Sequence, residues 1–179
     1  LTAVESVLIA IGVPPAATVD VLSRLADRSL VEVDIGRGGA VRYRLLDSVR
    51  AFSLDQLRES DSYEAARRAH ATWVAAAADR AATGVRGREQ AVHLTVARTE
   101  RANIDAALAW AATRDPQLAL SIVNGFGWAW IVLGDSRGAQ RILAALDAAD
   151  ETAPVRDRAT ALLLAAWIEA STGHLEPAR

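Results

Sequence analysis

Along the first sixty residues the apolar positions change their period twice. Val4, Val7, Leu8 and Ile11 stand at i, i+3, i+4 and i+7, which lines one helical face and predicts a helix over residues 3 to 11. Gly12 and the Pro14-Pro15 pair end it. Val19, Leu22, Leu25 and Ala26 predict a second helix over residues 17 to 28, with Asp20 and Arg24 as an outward i, i+4 pair. Leu30 to Ile35 and Val41 to Leu45 then alternate or cluster β-branched and apolar residues, and Gly36-Arg37-Gly38-Gly39 between them supplies the positive φ of a tight reversal, so a two-stranded hairpin is expected. A helix over residues 47 to 58 follows, capped by Asp47 or Ser48, with Val49, Phe52, Ser53 and Leu57 facing inward.

From residue 61 onward the helical period is continuous. Tyr63, His70, Trp73, Val74 and Ala77 form one stripe of a helix over residues 61 to 82, broken by Thr83-Gly84-Val85-Arg86-Gly87. Helices near 88 to 98 and 100 to 113 come next, the second with Ile104, Ala107, Leu108 and Ala111 in register. Asp115-Pro116, a cap followed by a proline at the first helical position, opens a long apolar helix to Leu133. Gly134 to Ala139 and Gly173 to Ala178 share the pattern G-x-x-x-x-A at an interval of 39 residues, each after a tryptophan-bearing apolar helix. A glycine turn followed by an alanine where two helices meet is how helical-hairpin repeats close.

The resulting fold expectation is mainly α: a truncated winged helix with a small β-hairpin over residues 1–60, then an antiparallel, tetratricopeptide-like helical-hairpin array over residues 61–179. Composition shapes the core of that array. Apolar residues make up 51% of the chain and aromatics only 5%, so alanine and aliphatic side chains must fill the interior while the five tryptophans anchor it. The chain is expected to be a piece of a longer protein, since it has no methionine, opens inside an apolar-periodic segment and ends as another helix begins.

Charge and residue types narrow the chemistry. A net charge of −2 gives no overall basic excess for neutralising phosphates. With no cysteine, thiol nucleophiles and Cys-ligated zinc are excluded, and with no lysine a phosphate-loop lysine is excluded as well. His70, His93 and His174 show no metal-ligand spacing, the serines form no G-x-S-x-G elbow, and Gly36 to Gly39 joins two strands instead of opening a helix. No stretch approaches ~18 uninterrupted apolar residues, and the start lacks the basic region of a signal peptide, so a cytoplasmic, non-membrane, non-enzymatic chain is expected.

Two sets of residues stand out as candidate surfaces. Arg37, Arg42, Arg44 and Arg50 can form a basic edge on the wing, for a neighbouring domain or for phosphate. Phe126, Trp128, Trp130 and Trp167 can line a groove on the helical array, against the plainer reading that they fill its core. DNA contact is not expected, because the recognition-helix position offers Asp20, Arg24, Asp27 and Arg28 with no polar base-reading cluster.

The run Leu22 to Val31, then Arg42 to Arg50, resembles the segment that follows the nucleotide-binding core in bacterial signal-transduction ATPases of the NB-ARC/STAND class, transcriptional regulators of the LuxR or SARP type. Glu100-Arg101-Ala102-Asn103-Ile104-Asp105-Ala106-Ala107-Leu108-Ala109-Trp110 is similar to their E-x-x-N-hydrophobic-x-x-A-L-x-W helix. The resemblance implies a winged helix docked on an upstream nucleotide-binding domain that holds ATP or ADP and magnesium, and a repeat arm that receives a protein or small-molecule signal. No cofactor is expected in this chain itself. Related animal and plant ATPases carry Met-His-Asp at the hairpin-to-helix junction; Leu45-Leu46-Asp47 stands there here, and leucine cannot hydrogen-bond a phosphate. The alternatives are a DNA-binding winged-helix module and a free-standing helical-repeat scaffold.

Overall fold

The computed structural model describes residues 2–35, 41–151 and 153–172, and within them the chain is mainly helical with one antiparallel β-hairpin. Arg37 with its glycine turn, and the second G-x-x-x-x-A run with His174, lie outside the described residues. The chain divides into two compact units, Leu1–His70 and Ala71–Arg179.

In the first unit, α1 (Thr2–Ala10) leads through a single 3-10 turn at Pro15–Ala17 into α2 (Thr18–Asp27). Strands β1 (Val31–Ile35) and β2 (Val41–Leu45) pair with Val31 opposite Leu45 and Ile35 opposite Val41. Because successive strand side chains alternate faces, Val31, Val33 and Ile35 share one face with Leu45, Tyr43 and Val41, while Glu32, Asp34, Arg42 and Arg44 share the other. The apolar face is covered only at its Val31 end: Val31 is buried, whereas Ile35 is 71% exposed. Helix α3 (Asp47–Arg58) follows.

Three expectations for this unit need correction. Val19 is exposed, and the covered stripe of α2 is Thr18, Val21, Leu22 and Leu25, a helical face rotated from the one read in the sequence. Phe52 and Ser53 are exposed, because α3 turns Val49, Leu54 and Leu57 toward partial cover instead. Neither Asp47 nor Ser48 caps α3: extended Leu46 holds the cap position with no side-chain bond, and Asp47 is already helical, so it contributes a carboxylate to the first turn.

The second unit contains most of α4 (Tyr63–Gly84) and α5 (Gln90–Thr99), α6 (Arg101–Arg114), α7 (Pro116–Leu133), α8 (Arg137–Ala148) and α9 (Val155–Thr172). Helix α7 is its centre and packs against α5, α6, α8 and α9. By length and composition α7 could cross a bilayer, but half of that window is buried among the other helices. Its start follows the sequence reading: Asp115 accepts a hydrogen bond from the Leu118 amide at 3.2 Å, and Pro116 takes the first helical position. Its end is a Schellman turn in which Gly134 adopts φ +63°, its amide donates to the Ile131 carbonyl and the Asp135 amide donates to the Trp130 carbonyl.

Helices this close need positions without side chains. A Cβ on Gly125 would stand 2.5 Å from the Ala78 backbone carbonyl of α4, and one on Gly127 would stand 2.5 Å from Leu164 Cδ1 of α9. At Gly138 of α8 it would meet Trp130 Cβ at 2.9 Å. The core around them is alanine-rich, with Ala71, Ala78, Ala81, Ala107, Ala111, Ala119, Ala129, Ala139 and Ala161 fully enclosed. In the motif helix α6, Ile104, Ala107 and Trp110 enter that core, while Asn103 Nδ2 donates to Glu100 Oε2 at 2.6 Å across the first turn.

The two α7 glycines are expected to respond differently to alanine. Alanine gains about 1 kcal/mol of helix propensity at either site, but overpacking against rigid backbone costs about 1–3 kcal/mol. Gly125→Ala should therefore lower stability in urea unfolding, whereas Gly127→Ala, facing the mobile end of Leu164, should fall within about 1 kcal/mol of the parent. Equal losses at the two positions would contradict this packing.

Candidate functional site

Helix α7 is apolar except along one line. Gln117, Ser121, Asn124 and Trp128 follow one another at i, i+4, i+7 and i+11 and form the floor of a cleft of about 660 Å³ within the second unit. Asp79 and Ala82 of α4, with Arg86 just beyond it, form one wall, and Arg156, Asp157 and Thr160 of α9 form the other. The missing side chain of Gly125 sets the distance between α4 and the floor.

The floor is held in place by α9. Asn124 Nδ2 donates to the Asp157 backbone carbonyl at 3.0 Å, and Gln117 Nε2 donates to Asp157 Oδ2 at 3.3 Å. Only the amino end of the Asn124 amide can donate to a carbonyl, so its orientation is fixed and Oδ1 is left as the acceptor. That oxygen is shielded from solvent and receives no hydrogen bond among the described residues. Beside it, the Arg86 guanidinium lies 5.5 Å from the Trp128 ring centroid, within cation–π range, and Trp167 meets Trp128 edge-on at 5.0 Å. The cleft thus offers an aromatic surface partly covered by a cation, and charges of both signs.

A smaller cavity of about 210 Å³ lies between α6 and α8 beside Asp105 and Arg141. Arg141 binds Asp105 at 2.7 Å and Asp135 at 3.1 Å and lies 5.3 Å from the Trp130 ring centroid. Burial works to lower its pKa, but the hydrogen bond and charge of Asp105, followed by the charge and bond of Asp135, outweigh it and hold the guanidinium above the ordinary arginine value. Asp135 also accepts the Arg137 amide and pairs with Arg101, so this arginine fastens the α7–α8 turn to α6.

The residues expected to act together are distributed differently. Trp128 lines the cleft and Trp167 touches its edge, whereas Phe126 and Trp130 are buried with ring centroids 6.2 Å apart and do not line it. On the hairpin, Arg42 stands opposite Asp34 and Arg44 opposite Glu32 in the strand register, which matches their charge across the two strands. Arg50 is exposed on α3, and Arg37 is outside the described residues. Among the described residues, no group of three or more His, Asp or Glu side chains is arranged to hold a metal ion.

No protein-family model, curated protein or solved structure matches this chain. The cleft must therefore be judged by its own residues. Of the cleft's residues, Trp128 belongs to the groove expected from the sequence, whereas Asn124, Gln117, Arg86, Arg156 and Asp157 do not. The available signal was the polar line at helical spacing inside an otherwise apolar helix, since a fully enclosed helix has no use for such a stripe.

Removing the Arg141 side chain should expose how much of the array the turn fastening supports. Arg141→Met keeps much of the apolar stem but leaves the mostly buried Asp135 without this partner, so a loss of about 2 kcal/mol in urea unfolding is expected, with Asp105 and Asp135 both present. Restoration by Arg141→Lys should be incomplete, because lysine cannot reproduce the forked contact with two carboxylates.

Proposed function

We propose that this chain is a non-catalytic interaction module whose helical second unit captures a partner segment in the cleft of α4, α7 and α9. The observation that carries the reading is the cleft's floor: Gln117, Ser121, Asn124 and Trp128 make one polar and aromatic line on an otherwise apolar helix, held by the Asn124 and Gln117 bonds to Asp157, with the Arg86 guanidinium 5.5 Å from the Trp128 ring centroid. A cleft of about 660 Å³ admits a short extended segment, and the Trp128 surface with Arg86 and Arg156 suits a chain of mixed polar and aromatic or acidic character.

The likeness of Leu22 to Val31, Arg42 to Arg50 and Glu100 to Trp110 to regions of bacterial signal-transduction ATPases supports a place for the module in such a regulator. In that reading the hairpin unit docks on an upstream nucleotide-binding domain, and the helical array relays partner binding to it. The partly uncovered apolar face of the hairpin suits a protein neighbour. The matched charges of Arg42 and Arg44 give a duplex-binding reading less support.

Selection of linear peptides on the immobilised chain tests the cleft. Binders are expected to lose about tenfold in affinity for Arg86→Ala, the scale of one charge-assisted contact, and to be indifferent to Arg50→Ala. Binders indifferent to Arg86→Ala, or selection yielding none, would refute it.

A further inference from the structure

The cleft floored by α7 is lined by three carboxylates, Asp79, Asp115 and Asp157, and two guanidinium groups, Arg86 and Arg156, and the two kinds are not equally committed. Asp115 caps α7 by accepting the Leu118 amide, and Asp157 stands in the first turn of α9 and accepts Gln117 Nε2. Both carboxylates therefore sit at the positive end of a helix dipole and accept internal hydrogen bonds, which offsets their charge locally. The arginines have no such compensation. Arg86 donates to the Ala82 carbonyl and covers Trp128, Arg156 is exposed, and neither forms an ion pair among the described residues. Arg141, elsewhere in the same unit, shows the contrast by binding both Asp105 and Asp135.

The two uncompensated cations stand apart along the floor. Arg86 lies over Trp128 at one end, and Arg156 adjoins Asp157, whose bonds fall on Asn124 and Gln117 toward the other. The helical rise puts Asn124 about 6 Å and Gln117 about 16 Å from Trp128 along α7. An extended segment advances about 3.3 Å per residue, so side chains that meet the two arginines are roughly two to five residues apart. Between them the third carboxylate intervenes: Asp79 is exposed, forms no ion pair among the described residues, and follows Ala78, whose backbone lies against Gly125.

We propose that the ligand of this cleft is an acidic peptide segment with two separated carboxylates, one held by Arg86 and the other by Arg156, and no acidic residue opposite Asp79. This deepens the reading of the cleft as a segment-binding site and rests on it. Charge complementarity selects both the acidic groups and the gap between them, since Asp79 repels a continuous acidic tract. A single nucleic-acid strand fits less well. Its phosphates recur at every nucleotide and would meet Asp79, and Trp128, covered by Arg86 and met edge-on by Trp167, leaves a base little ring to stack on.

A linear peptide library displayed on phage and selected against the 179-residue protein tests this. Recovered peptides should be enriched in two Asp or Glu positions at that spacing, and replacing either one by Asn or Gln should weaken binding about tenfold. Arg156→Glu, at an exposed side chain, should leave the helical signal unchanged and reverse the preference, so that a peptide with Lys at the matching position binds this variant more tightly than the parent peptide does. Arg156→Gln should abolish the acidic preference at that position without reversing it. Binders that depend on Arg86 yet show no acidic preference would overturn this proposal and leave the segment-binding module standing; selection that yields no binder at the cleft would overturn both. Binding of single-stranded oligo-dT that displaces the recovered peptides and is abolished by Arg156→Glu would assign the cleft to nucleic acid and overturn the proposal as well.

Discussion

The second unit depends on how closely helices can approach α7. An interior built from alanine and aliphatic side chains reaches the density of a protein core only if the helix axes come closer than leucine-rich helices allow, and dispersion contacts are lost quickly when they do not. Gly125 lets the Ala78 backbone come against α7 on one side, Gly127 admits Leu164 on another, and Gly138 lets α8 pass over Trp130. The large side chains are rationed accordingly: on α7 itself Phe126 and Trp130 are buried side by side, with Leu120, Ile122 and Val123 as the other large enclosed side chains. The cleft is a consequence of the same packing, because α4 and α9 approach α7 from two sides and leave its polar line between them.

Polar groups fix what packing alone would leave variable. Small-residue interfaces slide more readily than interlocked ones, and register here is set by Asn124 and Gln117 on Asp157, and by Arg141 spanning Asp105 and Asp135. These bonds join elements that are consecutive or next-but-one in the chain, so each helix is positioned mainly by its near neighbours in sequence.

The first unit is organised on another basis. Among its described residues only Thr18, Leu22, Val31 and Ala66 are buried, so little apolar area stabilises it by itself. Its hairpin separates an apolar face from a face of matched charges, and most of the apolar one is open. A surface of that kind is more suited to contact with protein than with a phosphate backbone.

Several features were legible in the residues before any fold was known. The change of period from helix to strand and back, the Asp115-Pro116 start and the Gly134 stop are all local consequences of backbone chemistry, and each corresponds to a described element or its boundary. Even the split among the aromatics was partly available: Phe126 and Trp130 are one turn apart on one face, and Trp128, two positions from each, must point elsewhere. Which of those faces would be enclosed was decided only in three dimensions, by where α4, α8 and α9 come to rest. The same is true of Val19 and Phe52, apolar side chains at helical spacing that end in the open, and of Asn124, whose partner lies 33 residues away. Periodicity fixes directions around a helix axis; only its neighbours determine which direction is the interior.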